Sequence, residues 1–285
     1  MVRRSLVMPL ALAWLWSSLA LAGCDREAKR QAEIAKGDLE RAEVVVRDKH
    51  VSALAAELPK AAEAISKQRD RAAAFVARRD KTESLRAARR SFYAFTDATG
   101  VITWVEDPAY PVVERKLKVG FPAVADVLDG KKPYAEGPGR FGDEAPAALW
   151  FVAAAPTRSD GAIDGALVAA WDAHEAADDL GRQLATDAKM QIAAPKHRVK
   201  ESERLELALD APQIWVAIFA QDGGVFLPYR APQPLEDAAT KLGFAGKDAA
   251  GWTGTVKVTN ASWGVASKRI DALMPGYGLA VIRNR

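Results

Sequence analysis

An apolar run over residues 6–21, preceded by Arg3 and Arg4 and interrupted by Ser17 and Ser18, opens the chain. It is marginal in length for a membrane span. With the small Ala22 and Gly23 behind it, it has the layout of a secretory signal. Residues 25–90 then read as Ala, Glu, Lys and Arg with few aromatics, a composition that favours helix. Pro59 has no amide hydrogen and clashes with the preceding turn, so the pattern predicts that a first helix ends near Leu58 and a second starts there, with Gly37 as a further candidate break. In the second helix Ile65, Ala72, Phe75, Val76 and Ala77 trace a partial apolar stripe.

At Phe92 the period changes from helical to extended. Phe92-Tyr93-Ala94-Phe95-Thr96 and Val101-Ile102-Thr103-Trp104-Val105 flank Asp97-Ala98-Thr99-Gly100, which predicts a hairpin that Pro108 and Pro111 terminate. A short helix is expected over residues 114–128, stopped at Gly130. The stretch Glu136-Gly137-Pro138-Gly139-Arg140-Phe141-Gly142 reads as a loop. It lacks the Gly-Lys-Ser/Thr ending of a phosphate-binding loop, so it is either a plain connector or a flexible pocket edge. Residues 147–155 and 163–171 are two apolar runs joined by Pro156-Thr157-Arg158-Ser159-Asp160-Gly161-Ala162 and read as adjacent antiparallel strands. Asp172 with Glu175 three residues on has capping-box spacing for a helix to about Lys189.

The second half repeats this plan. Leu205, Leu207 and Leu209 alternate with polar residues. The run Ile214-Trp215-Val216-Ala217-Ile218-Phe219-Ala220, a turn at Asp222-Gly223-Gly224 and Val225-Phe226-Leu227 then mirror the first hairpin. A helix around residues 235–242 and strands at 254–258, 263–270 and 277–282 complete it. The expected architecture is α+β: an N-terminal segment over 1–23, helices over 24–90, and two mostly antiparallel modules over 91–190 and 191–285, the second the smaller.

Leu21-Ala22-Gly23-Cys24 resembles the lipobox of a bacterial lipoprotein precursor, residue by residue. The resemblance implies cleavage before Cys24, diacylation of its thiol, and a mature protein held by lipid at the cell envelope facing the periplasm. Asp25, next to the lipidated cysteine, favours the inner membrane by analogy with enteric bacteria. The alternative is an uncleaved helix with a chance cysteine. The order of motifs further along resembles the Cache branch of PAS-like extracytoplasmic sensor domains: Phe95-Thr96-Asp97-Ala98-Thr99-Gly100-Val101, Val127-Leu128-Asp129-Gly130, Ala154-Ala155-Pro156 and Asp164-Gly165-Ala166-Leu167-Val168. That resemblance implies a small-molecule ligand and a membrane protein partner. It departs from the family in lacking the arginine–tryptophan–tyrosine cluster of amino-acid-sensing members, and no transmembrane helix or output domain follows.

Composition narrows the chemistry. Forty basic and thirty-seven acidic residues give a formal charge of +3, which announces no nucleic-acid surface. Residues 25–90 are more basic than acidic and offer either a solvated face that stands the folded part off the membrane or a surface for anionic headgroups. With Cys24 acylated there is no thiol left for a disulfide, so the fold must rest on core burial. His50, His174 and His197 are scattered, which suggests no metal cluster, no cofactor and no Ser-His-Asp relay. Asp178-Asp179 and Asp126 with Asp129 are read as solvated carboxylates. The aromatic excess points instead to a pocket in the first module, walled by Trp104, Tyr110, Tyr134 and Trp150, each with core packing as its plainer duty. Arg140 on the glycine loop would meet a carboxylate and Asp172 an amine, so that both together suit a zwitterion. Tyr229 stands in the second module as the comparison position. Three functions compete: a ligand-binding module that presents its complex to a membrane partner, an envelope structural or interaction protein without a small ligand, and, with least support, a hydrolase.

Overall fold

The computed structural model describes the backbone of residues 10–87, 91–141, 149–193, 212–271 and 274–284, and within them the side chains of 26–48, 51–86, 91–141, 149–190, 212–271 and 274–284. Helices α1 (Leu10–Val45), α2 (Ala53–Ser66), α3 (Arg71–Lys81) and α4 (Glu83–Ala87) come first, with a π-helical turn, Val46–Ser52, between α1 and α2. The first module follows as β1 (Phe92–Asp97), β2 (Ile102–Val105), α5 (Leu117–Gly120), α6 (Pro122–Leu128), β3 (Ala135–Gly139), β4 (Trp150–Ser159) and β5 (Ala162–Asp172). Helix α7 (Ala173–Ala193) leads to β6 (Gln213–Ala220), β7 (Val225–Phe226), α8 (Gln233–Leu242), β8 (Trp252–Val258), β9 (Ala261–Arg269) and β10 (Tyr277–Asn284). The expected strand at Leu205–Leu209 lies outside the described residues.

Both sheets are five-stranded and antiparallel, in the orders β2-β1-β5-β4-β3 and β7-β6-β10-β9-β8, which is one plan used twice. The fold is therefore α+β, with two antiparallel five-stranded modules behind long helices. The turn chemistry repeats as well. Asp97 Oδ1 accepts from the amides of Thr99 (2.9 Å) and Val101 (3.0 Å), and Gly100 takes φ +85°. Asp222 Oδ1 accepts from the Gly224 amide (3.0 Å), and Gly223 takes φ +97°.

Four local expectations are corrected. Pro59 lies inside α2, and the interruption falls earlier, at the π turn. Burial of Leu54, Leu58, Ala61, Ala62 and Ile65 over β4 outweighs the roughly 3 kcal/mol an internal proline costs. Gly142 lies outside the described residues, but the first part of the glycine stretch, residues 136–139, is not loop and belongs to strand β3, paired with β4 from Ala135↔Ala154 to Gly139↔Trp150. As the sheet edge it tolerates Pro138. It requires Gly139, where a Cβ would stand 2.2 Å from the Phe121 ring and 2.5 Å from the Gly120 carbonyl. The β4–β5 connection shrinks to Asp160 and Gly161, with φ +50° and +85°, the two positive values of a tight hairpin turn. The helix expected over 114–128 divides at Phe121 into α5 and α6, with Pro122 at the first helical position of α6.

The N-terminal helices contribute to the core. In α1, Ala28, Ala32, Ala35, Leu39 and Ala42 recur at three- and four-residue spacing and are buried where the helix crosses β8, β9 and β10. Helix α2 covers β4, and α7, leaving the first module at β5, covers β6 of the second. The inner faces of both sheets thus share one apolar core, while α5 with α6 closes the outer face of the first sheet and α8 that of the second. No described helix is long and apolar enough to cross a membrane.

Candidate functional site

Register decides which face of the first sheet each aromatic occupies. Trp104 is paired with Phe95 and lies tilted against its ring at 5.0 Å on the helix side, 6.3 Å from Phe75. There it lines a groove of about 510 Å³ with Arg69, Arg71 and Thr103. Arg71 is already engaged, forking onto Asp164 at 3.0 and 2.6 Å. Burial alone would raise the Asp164 carboxyl, but hydrogen bonds from Arg71 and Thr157 hold it below the ordinary carboxylate range.

Tyr134 precedes β3 and donates its hydroxyl to Glu136 Oε2 at 2.6 Å. Burial, then Glu136, pushes this phenol up. Arg140 follows β3 with its side chain exposed, and its charge acts on Tyr277 of the second module. None of the polar contacts of Asp172 involves Arg140.

Tyr110, Trp150 and Asp172 do converge. Trp150 and Asp172 are register partners across β4 and β5, and the Tyr110 and Trp150 rings lie 6.2 Å apart with Phe92 beside both, at 5.2 and 5.5 Å. The cluster sits where β5 passes into α7. Asp172 caps that helix, accepting from the amides of His174 (2.7 Å) and Glu175 (3.2 Å). Its second oxygen accepts from the Tyr229 hydroxyl at 3.0 Å. Glu175 accepts from Tyr110 at 2.9 and 2.8 Å and from the Ser91 hydroxyl, while Ser91 Oγ receives the Asp172 amide at 2.9 Å. Burial and then Glu175 push the Tyr110 phenol up to about 12, and burial and then Asp172 push Tyr229 up as well. Both phenols are held as neutral donors throughout the physiological range.

Sequence reading missed Ser91, Glu175, His174 and Tyr229 as members of this cluster. Glu175 carried a signal in its capping-box spacing, but Tyr229 carried none. It is not a remote comparison position: it reaches back 57 residues to Asp172 and stacks on His174 at 4.4 Å. Chemically, two carboxylates stand one helical turn apart beside an indole and a phenyl ring, and among the described residues neither has an ion-pair partner. Asp172 is 2% exposed. Among the described residues no group of three or more His, Cys, Asp or Glu side chains is placed to hold a metal ion.

No family model and no curated protein matches the sequence. Among solved structures, the chain is similar to an extracellular ligand binding receptor from Desulfohalobium retbaense (12% identity, TM-score 0.48), covering 89% of this chain and 40% of that one. It is similar to the ligand-binding domain of the Pseudomonas aeruginosa amino acid chemoreceptor PctC in complex with GABA (12% identity, TM-score 0.44), covering 88% and 97%. It is also similar to the ligand-binding domain of the Campylobacter jejuni chemoreceptor Tlp3 in complex with L-valine (15% identity, TM-score 0.41), covering 98% and 97%.

Proposed function

We propose that this chain is an extracytoplasmic lipoprotein whose first Cache-like module binds a small cationic ligand beside Asp172 and presents the complex to a membrane partner. The observation that carries the ligand class is the pair Asp172 and Glu175, a buried and a half-buried carboxylate beside Trp150 and Phe92 that receive backbone amides and hydroxyls but, among the described residues, no cation. Buried carboxylates ordinarily find a cation. An ammonium group entering there would replace the Tyr229 or Tyr110 hydroxyl and gain the faces of the rings.

The test is thermal unfolding with a panel of amines, amino acids and carboxylic acids. A ligand held at about a hundred times its Kd stabilises the fold by roughly 2.7 kcal/mol. An amine-bearing compound is expected to raise the unfolding temperature and carboxylic acids without an amine are not. Asp172→Asn, which keeps a good helix cap, is expected to weaken the binder at least about tenfold, or 1.4 kcal/mol, while Trp104→Ala, in the separate groove, leaves it unchanged. A second reading rests on the same network, since Tyr229 ties the second module to the first module's last strand. If no compound shifts unfolding while Asp172→Asn alone lowers it, the cluster is a latch and the chain is a structural or interaction protein.

The anchor is part of the proposal. Cys24 precedes Ala28, the first buried residue of α1 among the described side chains, by four residues, about 6 Å of helix. A lipid there would hold the second module against the bilayer, with the inner membrane as the favoured site. Labelling with a palmitate analogue is expected for the natural chain, and a Cys24→Ala protein that still labels and still sediments with membranes removes the anchor.

A further inference from the structure

The π-helical turn Val46–Ser52 sits where α1, which follows the second sheet, hands over to α2, which follows the first. Single π turns inside α-helices recur at functional sites. This one delivers Val51 to a cavity of about 240 Å³ whose other walls come from both modules. Glu136 and Pro138 of β3, Phe151 of β4 and Trp171 of β5 face it from the first, and Met274, just before β10, from the second. Phe151 and Trp171 stack at 6.1 Å, and Phe151 meets Tyr277 of the second module edge-on at 5.3 Å. The space is partly open to solvent at the Glu136 rim and is walled elsewhere by apolar and aromatic side chains of both modules.

We infer that this inter-module cavity is a second binding site, which takes a small primary amine carried on a compact hydrocarbon body. The walls fix the body: an aliphatic side chain, a proline, two aromatic rings and a thioether offer dispersion and no hydrogen bond of their own apart from the indole N–H. Glu136 fixes the head group. Tyr134 donates to its Oε2, and among the described residues Oε1 has no donor, leaving one acceptor position at the rim. The carboxylate stands exposed at the rim, where an arriving cation can reach it. Because the walls belong to both modules and to the helical turn that joins them, an occupant fixes how the two sheets sit together.

The inference goes beyond the Asp172 site and is tested with that site silenced. Calorimetric titration of the full chain carrying Asp172→Asn with benzylamine is expected to show one site. Toluene is expected to bind more weakly and benzoate not at all. Val51→Phe, which fills the cavity, and Glu136→Gln, which keeps the size and polarity of an exposed side chain but removes its charge, are each expected to weaken benzylamine at least about tenfold. Glu136→Gln is further expected to erase the preference of benzylamine over toluene, a readout that does not depend on whether Val51→Phe folds. No heat with benzylamine in the Asp172→Asn chain, or binding indifferent to Glu136→Gln, overturns the second site. Binding lost through Asp172→Asn but present in the natural chain upholds the first site alone.

Discussion

Asp38→Ala is expected to destabilise the folded chain by roughly 3–5 kcal/mol, the cost of leaving one partner of a buried ion pair behind. Asp38 is fully buried on α1, and its Oδ2 lies 2.5 Å from Nη1 of Arg283 on β10. Arg41 closes on the other carboxylate oxygen, and Gln31 accepts from Arg283 Nε at 2.8 Å. The Arg283 side chain is 9% exposed, so without Asp38 its charge has little water to fall back on. Helix propensity does not explain a loss of this size, because alanine is the better helix former. Urea unfolding measures the effect as a drop in midpoint at unchanged slope. The double exchange Asp38→Leu with Arg283→Met is expected to recover most of the loss, since a buried pair replaced whole by apolar groups is often neutral. A loss below about 1 kcal/mol for Asp38→Ala would place the pair at the level of an exposed salt bridge instead.

That ion pair belongs to the part of the fold the sequence concealed. Strands β1, β4, β5, β6 and β10 were legible, because β-branched and aromatic runs between aspartate–glycine turns leave few other conformations. Asp172 announced itself as a cap by spacing. Strand β3 was not legible: Gly-Pro-Gly carries no strand preference, and what makes it extended is the neighbouring edge of β4 together with a Phe121 ring that tolerates no Cβ at Gly139. Helix α1 misled for a different reason. Its buried stripe is mostly alanine, which reads as helix propensity rather than as a contact surface, yet small side chains are what allow a helix backbone to lie directly on a sheet. At the candidate site, Tyr110, Trp150 and Asp172 stood out in the sequence only by residue type. Their separation from Trp104 follows from register, and the arrival of Tyr229 follows from the packing of one module on the other. Neither leaves a local pattern in the chain.

Gly264→Val is expected to pry α1 off the second sheet, with a loss of stability above the usual 1–3 kcal/mol of an overpacked core. A Cβ at Gly264 would stand 2.2 Å from the Ala32 nitrogen, 2.4 Å from the Gln31 carbonyl carbon and 2.8 Å from the Ala28 oxygen. All three are helix backbone, so no flexible side chain can yield. Gly264 and Arg283 are opposite one another in the β9–β10 ladder, which directs both positions to the face that α1 covers. Glycine lets the helix close on the sheet and the arginine fixes its register through Asp38. Hydrogen exchange should therefore report faster opening across residues 28–46 in Gly264→Val, while Gly246→Ala, where a Cβ meets nothing within 4 Å, changes little. The two seat mutations should also fail to add. A helix already lifted by the Gly264→Val exchange has lost the burial that makes Asp38→Ala costly, so the double variant is expected to fall short of the summed single losses by at least about 1 kcal/mol. Strict additivity would mean that the glycine contact and the ion pair act on α1 independently, and the helix would not be seated by a single joint contact with β9 and β10.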